Sequence, residues 1–307
     1  MNGLTEAKKI YTERGARLIH ERFPEYEERI AVGLVGRGSQ CFGYDDIISR
    51  DHDFTKGFCL FLTDEDDAKI GVALSRAYRE LVGADETEHS ALGSPGTGVM
   101  RISDFYRRTI GSADAPHAWQ DWLYTPSTAF AEAVNGEVFR DDLGQFSRIR
   151  NEIANGMPED VRRKKLAARL IFMAQSGQYN YSRCLGHKEP GAAMLALSEF
   201  VKNAAECVFL LNRRHAPYYK WLLRAMRELP RLGSLADALE FLLTAENTDD
   251  GAKLKAEVIE DICAQIVAEL RAQKLTCGSW DYLEPHAFDV QSHIENREIR
   301  SLHIMEG

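Results

Sequence analysis

The sequence changes its pattern near Phe146, and this change limits the fold more than any other feature. Before it, short apolar runs of strand length alternate with helical stretches and glycine-rich turns. After it, apolar residues recur almost only at steps of three and four, which is the period of an amphipathic helix. The pattern predicts an α+β chain, with a small mixed sheet first and an all-helical bundle second. We place the boundary between Asp142 and Pro158, which gives domains of residues 1–145 and 146–307.

Four short segments of the first half have the length and apolar character of β-strands. We predict these strands at residues 30–35, 58–62, 98–102 and 136–139. One helix is predicted at residues 4–23, with Thr5 as its N-cap and Pro24 at its end, and another at residues 70–82. Together these segments predict a mixed sheet with helices packed against it.

The residues that follow the first predicted strand form the strongest functional motif. Gly38 and Ser39 come first, and eleven residues separate them from the segment Asp51 to Asp53. The backbone N–H groups of a tight Gly-Ser turn suit phosphate oxygens. Asp51 and Asp53 are two positions apart, so on an extended segment both carboxylates point to one side. Such oxygen ligands suit Mg²⁺, which supports displacement at phosphorus. The competing interpretation is a solvated acidic loop.

This arrangement resembles the polymerase-β-like nucleotidyltransferase superfamily, whose signature is a strand, Gly-Gly or Gly-Ser, and then Asp-x-Asp or Asp-x-Glu. Five segments are more specifically similar to DUF4037, a bacterial family classed within the nucleotidyltransferases: residues 33–39, 49–53, 135–142, 173–181 and 218–221. The resemblance implies that Gly38 and Ser39 bind nucleotide phosphates and that Asp51 and Asp53 bind Mg²⁺. It also implies a nucleotidyltransferase domain followed by a helical domain, as in aminoglycoside nucleotidyltransferases.

The resemblance further implies a third acidic residue, which shares the metals or acts as a general base. Asp104 is the first choice, because it follows the third predicted strand, and Glu137 and Glu88 are the alternatives. Two positions depart from the superfamily pattern, since Arg37 and His52 stand where apolar residues are usual. We interpret His52 as a residue on the opposite side of its strand, and the alternative is a catalytic or metal-binding role.

A basic and aromatic segment at residues 212–221 is the candidate nucleotide contact of the second half. Lys220 can neutralise a triphosphate as a point charge. The helical domain of aminoglycoside nucleotidyltransferases supplies a lysine to ATP, so the resemblance implies the same role for Lys220. Tyr218 or Trp221 is expected to stack on the base or the sugar. The competing interpretation is a packed helix junction whose cations extend into solvent.

A second basic stretch lies where the helical half begins. Its members are Arg148, Arg150, Arg162, Arg163, Lys164, Lys165 and Arg169. This pattern is typical of a solvated helix face, and we predict that arrangement. The alternative is a patch that binds a phosphate-bearing partner.

Charge and missing motifs narrow the function further. The chain has 38 Lys and Arg against 47 Asp and Glu, and its net charge of -9 disfavours attraction of nucleic acid to the whole surface. It contains no G-x-S-x-G elbow, no H-E-x-x-H and no C-x-x-C pair. No apolar run has transmembrane length, and the first residues are charged rather than apolar. The sequence therefore predicts a cytoplasmic protein.

The predicted function is transfer of a nucleoside monophosphate to an acceptor hydroxyl. The co-substrate is ATP or another NTP, the metal is Mg²⁺, and the acceptor is a small molecule, a protein or tRNA. Two alternatives stay open. The first is a non-catalytic protein that binds a nucleotide or another partner, and the second is a toxin–antitoxin-type nucleotidyltransferase that acts on protein or tRNA.

Overall fold

The structure is a computed structural model that describes residues 2–46, 56–83 and 96–307. It is a mixed α+β protein with a small four-stranded sheet and many helices, which confirms the predicted fold class at this level. No helix in the described ranges is both long enough and apolar enough to cross a membrane.

The chain forms two compact units. The first, here called the sheet unit, comprises Met1–His117 and Ala129–Gly156. The second, here called the helical unit, comprises Ala118–Thr128 and Met157–Gly307.

The sheet lies where the apolar runs predict it. Its strands are β1 Ala31–Leu34, β2 Cys59–Leu62, β3 Gly98–Arg101 and β4 Glu137–Arg140. Their order across the sheet is β3-β2-β1-β4. β2 and β3 are parallel, whereas β1 is antiparallel to both β2 and β4. The four predicted strands are therefore confirmed, and the sheet is mixed.

Helices make up most of the remaining described chain. In chain order they are α1 Gly3–Ile10, α2 Ala16–Arg22, α3 Ser39–Phe42, α4 Asp64–Val82, α5 Ile102–Ile110, α6 Trp119–Tyr124, α7 Ser127–Val134, α8 Gln145–Asn155, α9 Glu159–Met173, α10 Ser182–Gly186, α11 Pro190–Leu211, α12 Tyr219–Met226, α13 Leu235–Thr244, α14 Asp249–Ala272, α15 Leu283–Ser292 and α16 Arg297–Ser301. A 3₁₀ helix spans Pro24–Arg29, and π-helical turns span Tyr11–Gly15 and Ala174–Tyr181. The predicted helical second half is confirmed.

The first predicted helix is confirmed with two differences. Its N-cap is Asn2 rather than Thr5, because Asn2 Oδ1 accepts a hydrogen bond from the Thr5 backbone N–H at 3.0 Å. A π-helical turn, Tyr11–Gly15, interrupts it where the helix passes close to the sheet. A Cβ at Gly15 would lie 2.6 Å from a ring carbon of Phe58, so this close approach requires glycine.

Helices cover both faces of the two central strands. Phe61 of β2 stacks on Phe146 of α8, with 4.2 Å between the ring centroids. Its neighbour Leu60 lies on the other face, in an apolar cluster with Ile19 of α2 and Leu74 of α4. Burial on both faces explains why these strands are continuous apolar runs rather than alternating ones.

The core of the helical unit forms around α11. The helical spacing of the sequence predicts six core positions on this helix. Five are buried, namely Leu197, Val201, Ala204, Val208 and Leu211, and the sixth, Met194, is partly buried. They pack with residues of α9, α13, α14 and α15 in one apolar cluster. The helical periodicity of the sequence therefore identifies part of the buried surface of this helix, whose last turn, Cys207 to Leu211, is buried on all sides.

The basic stretch on α9 is not a solvated face, so that prediction is wrong. Arg162, Lys164 and Lys165 are all buried. Lys164 Nζ donates hydrogen bonds to the carbonyl oxygens of His303, at 2.7 Å, and Ile304, at 3.1 Å. The physical reason is that α9 packs against both α11 and α15, so that positions expected to face water lie inside the bundle.

Candidate functional site

The turn after β1 has a backbone that favours glycine. Gly36 has φ 106° and Gly38 has φ 110°, in a region that other residues rarely adopt. Ser39 begins the single-turn helix α3, whose end is marked by Gly43 with φ 70°. Within the described chain, nothing lies within 4 Å of the Cβ position that a side chain at Gly38 would have. None of the described residues therefore covers the side-chain position at Gly38.

Asn135 fixes this turn. Its Oδ1 accepts a hydrogen bond from the Gly36 N–H at 2.7 Å, and its Nδ2 donates to the Gly36 carbonyl at 2.6 Å. Arg150 stabilises the backbone at Asn135. The Arg150 guanidinium donates hydrogen bonds to the carbonyl oxygens of Asn135 and Gly136 at 2.5 and 3.1 Å. A Cβ at Gly136 would lie 1.9 Å from the carbonyl oxygen of Leu34, so only glycine fits there.

Sequence reasoning missed the roles of Asn135 and Arg150. The available signal was the Asn-Gly pair directly before the fourth predicted strand, a pair typical of tight turns. Their contact with the Gly36 turn joins parts of the chain that are far apart in sequence, and no local pattern reveals it.

Two carboxylates lie near this turn. Glu132 is half-buried on α7, and burial raises its pKa, an effect that the positive charge of Arg37 opposes. Glu137 begins β4 and pairs with Leu34, the last residue of β1. Glu137 therefore lies at the end of the strands from which the turn leaves. Its carboxylate binds the ammonium group of Lys8.

Asp104 lies near the opposite ends of the strands from the Gly36–Ser39 turn. β3 is parallel to β2, and Arg101 at its end pairs with Leu62, whereas Gly38 follows the opposite end of β1. At about 3.3 Å per residue, the two ends of a four-residue strand are about 10 Å apart. Arg101 Nε donates to Asp104 Oδ2 at 2.7 Å, and this hydrogen bond lowers the pKa of Asp104. The structure does not bring Asp104 to the turn, and its role as third acid stays a prediction without support from the sheet register.

The predicted magnesium ligands Asp51 and Asp53 lie outside the described residues, as do His52 and Glu88. β2 begins at Cys59, which pairs with Gly33 near the end of β1. The start of β2 therefore lies next to the end of β1, from which the Gly36–Ser39 turn leaves.

Lys220 and Tyr218 belong to the helical unit. Lys220 lies in the first turn of α12 and is exposed. Its ammonium group has no hydrogen bond or ion pair to any residue that the structure describes. The ring of Tyr218 lies 4.2 Å from that of Tyr219 and 6.3 Å from that of Trp221, measured between centroids. An exposed cation beside an aromatic cluster suits a phosphate and a base, and the shared role of Lys220 and Tyr218 stays a prediction.

Comparison with known proteins gives one finding. Residues 122–222 match the family described as Domain of unknown function (DUF4037). The matched stretch contains three of the five segments that resemble this family, at residues 135–142, 173–181 and 218–221. It includes Asn135 but not the Gly36–Ser39 turn. No curated protein and no solved structure matches the chain.

Proposed function

We propose that this protein is a nucleotidyltransferase that moves a nucleoside monophosphate, AMP in the case of ATP, to an acceptor hydroxyl. The observation that supports this most is the Gly38 turn, which leaves a buried strand, is fixed by Asn135 and has no described residue within 4 Å of a Cβ at Gly38. A rigid glycine turn with exposed N–H groups is a common phosphate cradle. Ser39 adds a hydroxyl donor beside it.

Within this proposal each residue has a defined task. Gly38 and Ser39 bind the terminal phosphates of the NTP. Asp51 and Asp53, which precede β2 in sequence, hold Mg²⁺. Mg²⁺ held there would supply electrostatic stabilisation for in-line displacement at phosphorus, with pyrophosphate as the leaving group.

The third acid of the proposed site is Glu137 rather than Asp104. The support is the register of β4, which brings Glu137 level with the end of β1, next to the turn. Its ion pair with Lys8 is partly exposed, so the carboxylate can exchange this partner for another cation at small cost. Lys220 and Tyr218 are proposed as further nucleotide contacts on the resemblance to aminoglycoside nucleotidyltransferases alone.

Nucleotide binding tests the proposal. The melting temperature of the full chain is measured with ATP, GTP, CTP and UTP, each with and without Mg²⁺. Ligand at 100 times Kd is expected to add about 2.7 kcal/mol to the free energy of unfolding. Asp53→Asn should remove the Mg²⁺-dependent part of this gain. Without Mg²⁺ it should melt at the same or a higher temperature, because two neighbouring carboxylates repel each other.

The matched control is Asp261→Asn, which removes an exposed carboxylate of α14. This variant should keep the full response to every nucleotide. If no NTP with Mg²⁺ raises the melting temperature of the unmodified chain, the proposal is wrong. Binding that Asp53→Asn leaves unchanged would instead favour a non-catalytic nucleotide-binding protein.

A further inference from the structure

A cavity of about 490 Å³ lies within the helical unit. Its walls come from α9, α11, residues 123–128 and residues 306–307. This volume is in the range of small-molecule sites. None of the residues proposed to bind the NTP lines it, so it is a separate feature of the protein.

The lining of the cavity combines an apolar surface with a group of charges. Leu123, Met157 and Leu210 supply apolar surface. The charged members are Lys165, Arg169, Lys202, Glu206 and Glu306. They lie at helical spacing, with Lys165 and Arg169 one turn apart on α9, and Lys202 and Glu206 one turn apart on α11. Each helix therefore directs one stripe of side chains to the cavity.

Both carboxylates of the cavity already have partners. Glu206 Oε2 accepts a hydrogen bond from Arg169 at 2.6 Å, and Arg169 also donates to the carbonyl oxygen of Gly307. Glu306 accepts a hydrogen bond from the hydroxyl of Tyr124. Arg169 is consequently neutralised by Glu206. The neutral Tyr124 hydroxyl does not cancel the charge of Glu306, so one carboxylate and the two lysines Lys165 and Lys202 remain, and the lining keeps an excess of positive charge.

Lys165 is the unusual member of this group. It is only 9% exposed, yet its ammonium group has no hydrogen bond or ion pair to any of the described residues. Other buried lysines of the unit are satisfied. Lys164 donates to three oxygens, and Lys255 donates to the carbonyl oxygen of Ala245 at 2.7 Å. The side chain is therefore largely removed from water, while the ammonium group lines the cavity without a protein acceptor among the described residues. A partly desolvated cation in this position suits a ligand that supplies the missing acceptor.

Lys202 adds a second cation at the rim. It is exposed, and in the described structure it makes no hydrogen bond or ion pair. The cavity therefore offers one largely buried and one exposed cation, together with the carboxylate of Glu306, beside apolar walls. A ligand that satisfies both features has an anionic head and an apolar body.

We propose that this cavity binds a small molecule with a phosphate or carboxylate head on an apolar body. The head lies on Lys165, with Lys202 at the entrance, and the body packs against Leu123, Met157 and Leu210. The proposal goes beyond nucleotidyl transfer, and it stands or fails independently of the Gly38 site.

Calorimetry on the full chain with three probes of similar size tests whether this cavity binds such a molecule. They are phenyl phosphate, phenylacetate and phenethylamine, which share an aromatic body and differ in the head group. The two anions separate a phosphate preference from a carboxylate preference, and the amine carries the wrong charge. At least one anion should bind at millimolar concentration, and the amine should not.

The variant Lys165→Met keeps the length of the side chain but removes its charge. Hydrogen bonds to a charged group are strong enough that anion affinity should fall about tenfold or more. Lys202→Met should cause a smaller loss. Lys253→Met, a control at an exposed position of α14, should cause none. Lys165→Met should melt at or above the temperature of the unmodified chain, since it removes a largely buried charge that has no partner among the described residues.

The pH profile of phenylacetate affinity provides a second readout. Burial, together with the positive charge of Arg169, lowers the pKa of Lys165 to about 8, and Glu206 opposes this in part. The remaining titratable groups that face the cavity are Tyr124, Lys202 and Glu306. The anion binds the charged ammonium, so its affinity should be highest below about pH 7, fall to about half by pH 8 and decrease about tenfold per pH unit above that. Lys165→Met should abolish this fall.

Three outcomes would overturn the proposal. They are the absence of binding by both anions, equal binding of the amine, and full anion affinity in Lys165→Met. Ser39→Ala should leave anion binding unchanged. Loss of anion binding in that variant would mean that the anions bind at the turn of the sheet unit and not in this cavity.

Discussion

Replacement of Asn135 by alanine should loosen the Gly36–Ser39 turn by an amount that follows from its contacts. The change removes two hydrogen bonds to Gly36, at 2.7 and 2.6 Å. Each contributes about 1 kcal/mol net, and a buried group left without a partner costs about 1–3 kcal/mol. Gly36 is buried, so we expect the sheet unit to lose about 2–4 kcal/mol of stability.

The assay for Asn135→Ala has to observe the sheet unit separately. All four tryptophans, Trp119, Trp122, Trp221 and Trp280, lie in the helical unit, so their fluorescence reports only that unit. Hydrogen exchange of the β1 and β4 amides reports the stability of the sheet unit. We expect faster exchange there, together with weaker binding of Mg²⁺–ATP and an unchanged tryptophan transition in urea.

Asn151→Ala on α8 is the matched control, because this exposed side chain makes no hydrogen bond to the described residues. Its effect should stay below about 0.5 kcal/mol. If Asn135→Ala is equally mild, the turn is not held by Asn135, and the reasoning that derives a rigid phosphate cradle from this contact is refuted.

Three further substitutions have expected outcomes. Gly136→Ala should cost more than about 2 kcal/mol, because its Cβ would overlap the Leu34 carbonyl oxygen at a positive φ, and hydrogen exchange of β1 measures this. Lys164→Met should lower the stability of the helical unit by about 1–3 kcal/mol, as it leaves the His303 carbonyl oxygen without its donor, and tryptophan fluorescence in urea measures this. Lys220→Ala should weaken NTP binding in calorimetry while it changes stability by less than about 1 kcal/mol; a variant that unfolds but keeps its affinity when folded would favour a packed helix junction.

Local pattern is sufficient to predict the elements of this fold. Strand β1 follows from an apolar run that ends in Gly36 and Gly38, where positive φ angles terminate the extended chain. The helix α11 follows from apolar residues at steps of three and four, although its last turn, Cys207 to Leu211, is buried on all sides. In both elements the same residues determine the local conformation and the buried surface.

Features that depend on distant parts of the chain are not predictable in this way. The spacing of Lys164 and Lys165 is that of an exposed basic face, and their burial depends on two helices, α11 and α15, that come later in the sequence. The placement of Asp104 similarly depends on the register of β3 against β2. The sequence shows that a residue follows a strand shortly, but it does not show which other strand ends lie beside that residue.

Label transfer from ATP tests the central proposal most directly. The protein is incubated with Mg²⁺ and with ATP labelled at the α- or the γ-phosphate, across panels of aminoglycosides, total tRNA and cell-extract proteins. Nucleotidyl transfer predicts an acceptor that gains the α-label but not the γ-label, since the γ-phosphate leaves in pyrophosphate. Asp53→Asn should lower the rate by about 10²–10³. Transfer of the γ-label, or no α-label on any acceptor, would contradict the account.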